Sequence, residues 1–288
     1  MKPAARAVQS GWRRGGNCPI TAASTIAHEA VPMHADYSIQ AWTADIRAAL
    51  GLLTRIPVGF PKDSRLEDLA RAARLYPLVG LLVGLLGGAV FWLAHWLGLP
   101  AVIAALLALA ATILVTGALH EDGLSDVADG FGGAFARDRK LEIMRDPRTG
   151  TFGALALILS VGLRTAALAT LATPAAAAAG LVAAHSASRA ALPAVMALLP
   201  LARASGLAGQ TGKPGLDQAA IAVVLALVIV VLAVGLGQGL AVAILVAIWA
   251  ACVALLARAQ IGGYTGDVLG AVQQICEIAV LLALVATR

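Results

Sequence analysis

Seven apolar runs, spread evenly over the last three quarters of the chain, constrain its fold more than any other feature. They cover residues 78–97, 101–119, 152–171, 175–199, 221–235, 240–257 and 268–286. A helix needs roughly twenty residues to cross the hydrocarbon core of a bilayer. Inside that core every backbone N–H and C=O must be satisfied within the segment, which a helix does by itself. The chain is therefore expected to be all-α, a polytopic membrane helix bundle of about seven transmembrane helices. Only 13% of its 288 residues are charged, against about 25% in soluble domains, and its mean hydropathy is +0.85. The run 221–235 is the shortest, so its ends are the least fixed.

Loop charge predicts the orientation. The connections 98–100, 173–174 and 235–239 carry no basic residue. The alternate loops do: Arg137, Arg139, Lys140, Arg145 and Arg148 in 120–151, Arg203 and Lys213 in 200–217, and Arg258 in 258–267. Ten of the 21 Lys and Arg residues precede Tyr76. The positive-inside rule then puts the N-terminus in the cytoplasm, the C-terminus outside and every long loop on the cytoplasmic side. Basic residues placed this way set topology, and no nucleic-acid partner is expected from the net charge of +5.

Residues 1–36 are polar and irregular, and are expected to be a disordered extension ahead of one membrane domain, 37–288. Arg13-Arg14 is followed by no apolar h-region, which speaks against a signal peptide, and Met33 is an alternative start to Met1. Residues 37–60 carry Trp42, Ile46, Leu50, Leu53 and Ile56 at near-helical spacing, as in an interfacial or re-entrant helix. A charged amphipathic helix over 66–75 leads to Tyr76-Pro77, a helix boundary. Cys18, Cys252 and Cys276 are scattered without metal spacing and read as small hydrophobes.

Chemistry concentrates in 120–151, which holds seven of the sixteen acidic residues. Asp122, Asp126 and Asp129 stand at i, i+4 and i+7, on one face of a helix. Like charges so placed repel, and a hard divalent cation with oxygen ligands is the natural reason to gather them. Mg²⁺ usually takes one or two carboxylates plus substrate phosphates, so the site reads as one that receives a phosphorylated ligand. The plain alternative is a solvated helix. Gly123 and Gly130 within the segment suggest close backbone approach. Further on, Asp146-Pro147 and Thr149-Gly150 mark a turn, and Gly150, Thr151 and Gly153 open the next span. Helix N-termini with small residues can present N–H groups to phosphate, and Arg145 and Arg148 can add charge-assisted bonds. For Arg137, Arg139 and Lys140 anchoring is the favoured role.

Arg164, His185 and Arg189 lie inside spans, where ionisable groups face a partner or a cavity. They read either as lining an inward-opening cavity or as a structural ion pair. Glu277, inside the last span, needs a polar or cationic partner. The loop Gly262-Gly263-Tyr264-Thr265-Gly266-Asp267 brings a further carboxylate, Asp267, to the cytoplasmic side. These residues together predict a divalent-metal-dependent transferase acting on a phosphoanhydride at that face.

From about residue 40 onward the chain resembles the cobalamin synthase (adenosylcobinamide-GDP ribazoletransferase) family. The likeness rests on Leu53-Thr54-Arg55-Ile56-Pro57-Val58, Tyr76-Pro77-Leu78-Val79-Gly80, Thr116 to Gly130 with its His120-Glu121-Asp122-Gly123-Leu124 core, Leu141 to Asp146, Gly150-Thr151-Phe152-Gly153 and Gly262 to Asp267. The resemblance implies transfer between adenosylcobinamide-GDP and α-ribazole or its 5′-phosphate, giving adenosylcobalamin or its 5′-phosphate and GMP, late in nucleotide-loop assembly. It also implies a Mg²⁺ cofactor and a multi-pass protein of the bacterial inner membrane, with membrane lipid around it and the active site facing the cytoplasm. A homo-oligomer, or a complex with other nucleotide-loop assembly enzymes, stays open.

On that footing Glu121, Asp122, Asp126, Asp129 and Asp267 are the expected metal ligands, and Asp122, Asp126, Asp129 and Asp146 the expected catalytic carboxylates. Asp129 or Asp146 would accept the hydroxyl proton. Arg145, Arg148, Thr151, Gly266, Arg164, His185 and Arg189 are the expected substrate or phosphate contacts. A CDP-alcohol-type phospholipid synthase is the alternative enzyme, and a transporter path through Arg164, His185 and Arg189 the alternative class.

Overall fold

The structure, a computed structural model, describes residues 38–58, 66–171, 173–203 and 206–287. The extension 1–36 with Met33, and the stretch 59–65, lie outside the described residues.

Twelve α-helices are found among the described residues, joined by turns and loops. A short helix α1 (Ile39–Leu53) and α2 (Leu66–Ala72) precede a 3-10 turn, Ala73–Leu75, that runs directly into α3 (Tyr76–Trp96). Pro77 stands in the first turn of α3, where its missing N–H leaves no bond unmade. Then follow α4 (Ala101–Thr116), α5 (Leu119–Gly133), α6 (Arg137–Ile143), α7 (Thr151–Leu171) and α8 (Pro174–Leu198). The one-turn α9 (Leu207–Gln210), α10 (Leu216–Val234), α11 (Leu236–Ile261) and α12 (Gly266–Ala286) complete the chain.

Six of these segments are individually long and apolar enough to cross a membrane; α4 with α5 makes a seventh that bends by 90°. The bend ends the expected span 101–119 three residues early, at Thr116. Gly117 and Ala118 both adopt left-handed backbone, φ +67° and +59°, and two such residues in succession cannot continue a right-handed helix. We take α4 as the second crossing and α5 as lying outside the spans. The helices around the fifth connection are longer than expected: α10 begins at Leu216, and only Gly235 (φ +85°) separates it from α11.

The core is built around α8 and α12. Gly80, Gly84 and Gly88 form one stripe on α3 against α8. A Cβ on Gly84 would lie 2.6 Å from Val182 Cα, and one on Gly88 2.7 Å from Ala178 Cβ. Helices in lipid associate through packing rather than a hydrophobic drive, so small residues that let backbones approach are how such contacts form. The outward faces are apolar: Leu85, Leu106, Leu159, Leu232, Ile244 and Leu255 are all exposed. Trp92 and Trp96, near the end of α3, are exposed too, as suits a membrane–water interface.

At the N-terminal end, Asp45 of α1 is buried and pairs with Arg71 at 2.9 Å and Arg74 at 2.8 Å. The Arg74 guanidinium lies 4.1 Å from the Trp42 ring centroid. These two arginines therefore dock α1 onto the bundle as well as adding to the basic N-terminal charge.

Candidate active site on the acidic helix

Helix α5 is continuous, and its glycines serve packing. A Cβ on Gly123 would meet the Asp267 carbonyl oxygen at 2.7 Å and Gly270 Cα at 3.1 Å, so α5 lies directly on the first turns of α12. Glu121 and Asp122 stand in its first turn, where the helix dipole favours negative charge. Holding Ala118 left-handed costs about 1–2 kcal/mol, and that turn redirects the chain into α5.

Asp122 is exposed and Asp126 half-buried. Burial first, then the charges of Asp122, Asp267 and Asp129, push the Asp126 carboxyl up to about 7, with Arg203 opposing. The acidic set therefore carries charge that its surroundings do not balance. Among the described residues no three His, Cys, Asp or Glu side chains form a ready-made metal cage. One or two carboxylates plus phosphate and water suffice for Mg²⁺, and Asp122 with Asp126 fits that requirement.

The other expected ligands are engaged elsewhere. Asp129 is buried and accepts the Gly150 amide at 2.7 Å and the Gly153 amide at 2.9 Å. It thus caps the start of α7, and a Cβ on Gly153 would strike its carboxylate and Ser125 Oγ. Those two amides, expected to face phosphate, belong to Asp129. Thr151 is exposed at the start of α7. Asp267 accepts from Arg203 at 3.0 Å and Thr265 Oγ1 at 3.1 Å. Glu121 points to the bundle interior.

Asp122 and Asp126 share a cavity of about 330 Å³ with Arg145, Asp146, Arg148 and Thr149. Here Arg148 donates to Asp146 from Nε at 2.9 Å and Nη2 at 2.6 Å, and its amide donates at 3.0 Å. These bonds hold the Asp146 carboxyl down to about 2, making it a weak proton acceptor near neutrality. Asp129 has both oxygens accepting amides.

Arg164, His185 and Arg189 do not line this cavity. Each is buried. Arg164 Nη1 bridges Glu121 Oε1 at 3.2 Å and Glu277 Oε1 at 3.0 Å. His185 Nδ1 lies 3.1 Å from Glu277 Oε2 and 3.0 Å from Arg189 Nη1. Gln274 donates to Glu121 at 3.1 Å, and Gln273 to Glu277 at 2.6 Å. Of the two readings, Arg164 and His185 follow the ion-paired one, with Glu277 and Glu121 as counter-charges, while Arg189 bonds to the His185 ring and carbonyl.

A sequence model described as cobalamin-5-phosphate synthase matches residues 45–285. The chain belongs to the cobalamin-5-phosphate synthase family. It is 50% identical over 239 residues to the adenosylcobinamide-GDP ribazoletransferase of Bradyrhizobium diazoefficiens, covering 83% of this chain and 92% of the relative. For the relatives of the same name from Azorhizobium caulinodans and Shewanella amazonensis the identities are 47% and 43%, covering 83% and 82% of this chain and 94% and 92% of theirs. No solved structure matches the chain.

In this cobalamin-5-phosphate synthase family member the matched region contains every residue lining the cavity that Asp122 and Asp126 share. A second cavity, of about 150 Å³, also borders Asp122, with His120, Arg203, Gly266 and Asp267 in its lining. His120 and Arg203 line this part of the candidate site and are not among the contacts expected from the sequence. Arg203 was visible as a loop charge. His120 was visible within the motif, but nothing in its spacing separated it from a core histidine. Gln273 and Gln274 carried a signal that went unused, two adjacent amides inside an apolar run.

Proposed function

We propose that this chain is an adenosylcobinamide-GDP ribazoletransferase of a bacterial inner membrane, working at the cytoplasmic face. A ribose hydroxyl of α-ribazole, or of its 5′-phosphate, attacks the phosphate bearing the adenosylcobinamide. The new O–P bond forms, the anhydride bond to GMP breaks, and the hydroxyl proton is released. The observation that carries this reading is the cavity in which Asp122 and Asp126 face Arg145 and Arg148; the names of the relatives supply the substrates.

Asp122 and Asp126 would hold Mg²⁺ together with substrate phosphate and water. Bound there, the ion supplies charge neutralisation on the diphosphate. Arg148 would exchange its Asp146 partner for the departing GMP phosphate, since a guanidinium fork suits either anion. Asp129 fixes the start of α7 against α5, which keeps the 145–150 turn beside the carboxylates.

The experiment presents purified protein in lipid vesicles with two substrate pairs in parallel. Adenosylcobinamide-GDP with α-ribazole should release GMP and form one cobalamin per GMP. CDP-diacylglycerol with an alcohol acceptor should release no CMP. Turnover of the second pair alone would make the chain a phospholipid synthase instead.

A further inference from the structure

The second cavity bordering Asp122 has a different character from the first. Its lining is mostly apolar, with Leu53, Leu192 and Met196, but also holds Arg203, Thr265 and Asp267, and its volume is about 150 Å³. A cavity of about this volume has room for an aromatic ring. His120 lines it, is 3% exposed, and its Nε2 has no hydrogen-bond partner among the described residues. Buried polar atoms are nearly always paired, and an exception calls for an explanation. Asp122 lines both this cavity and the polar one holding Arg145 and Arg148. A nucleoside with its base in this cavity would place its ribose at Asp122, beside the diphosphate.

We propose that this cavity is the base-binding pocket for the nucleoside substrate and that the unpartnered His120 Nε2 hydrogen-bonds the base. The occupant is a benzimidazole-type ring: largely apolar, with a single free ring nitrogen that accepts one N–H. A purine adds exocyclic polar groups that a wall of Leu53, Leu192 and Met196 leaves unpaired. His120 is thus a specificity-determining residue. The proposal rests on the ribazoletransferase reading, whose failure shows separately as absent transfer by the wild-type chain.

The test uses the full chain in lipid vesicles, with His120→Ala and Met196→Trp. Each should raise KM for α-ribazole at least tenfold and leave KM for adenosylcobinamide-GDP within twofold. His120→Ala should also narrow the preference for α-ribazole over its adenine counterpart. An unchanged KM for α-ribazole, or equal rises for both substrates, overturns the pocket. Photolabelling of the wild-type chain with a diazirine-bearing benzimidazole riboside needs neither turnover nor a folded variant. Label on the peptide holding Leu192 and Met196 supports the proposal, and label confined elsewhere overturns it.

Discussion

Arg164 shows how a charge is tolerated in the bundle interior. One guanidinium meets two carboxylates, Glu121 from α5 and Glu277 from α12, at 3.2 and 3.0 Å. Removing one member of such a set leaves a buried charge uncompensated, at a cost of about 3–5 kcal/mol. Arg164→Ala should therefore lower stability by about that amount, read as an earlier thermal transition in detergent, and Arg164→Lys should restore only part of it. An unshifted transition in Arg164→Ala would contradict the pairing. The need for partners was legible in the sequence, because Arg164, His185, Arg189 and Glu277 are ionisable groups in apolar runs. Glu121 was harder to place. It adjoins Asp122 in sequence, but one residue of helix turns the side chain by about 100°, so it faces the interior while Asp122 faces the cavity.

At the scale of elements, two contacts set the geometry. The first is the stripe of Gly80, Gly84 and Gly88, which lets α3 approach α8. Gly84→Val would force a side chain into the Val182 backbone, and overpacking of this kind costs about 1–3 kcal/mol. The variant should elute as aggregate or melt earlier than wild type, whereas the same change at Gly162, which has open space around its would-be Cβ, should be far milder. Equal behaviour of the two variants would contradict the close contact. The second is the turn from α4 into α5. Its Gly117 resembles an ordinary helix stop, but Ala118 disfavours a left-handed conformation, so no local rule predicts the 90° turn. The spans themselves were legible because length and hydropathy fix them; their ends moved by a few residues because capping and tertiary packing decide those.

At the scale of the whole molecule, polarity is gathered at one end by ties between distant loops. Arg137 donates to the Ile261 carbonyl at 2.9 Å and to the Ala202 carbonyl at 2.8 Å. Leu201 and Tyr264 share a parallel bridge, Arg203 joins Asp267, and Lys140 reaches Gln260. Three stretches far apart in sequence are thereby tied together. Loop charge placed them on the same side of the membrane, but their mutual contacts are long-range and had no local signature. The central claim is that Asp122 and Asp126, presented at this end, form a Mg²⁺-dependent diphosphate site. The most direct test is the rate of GMP release from adenosylcobinamide-GDP and α-ribazole across a Mg²⁺ titration, for wild type and Asp126→Asn in lipid vesicles. The account predicts that wild type is silent in chelator and saturates with Mg²⁺, while Asp126→Asn is at least a hundredfold slower and needs more Mg²⁺. Wild-type turnover in chelator, or an Asp126→Asn curve that overlays wild type, would contradict it.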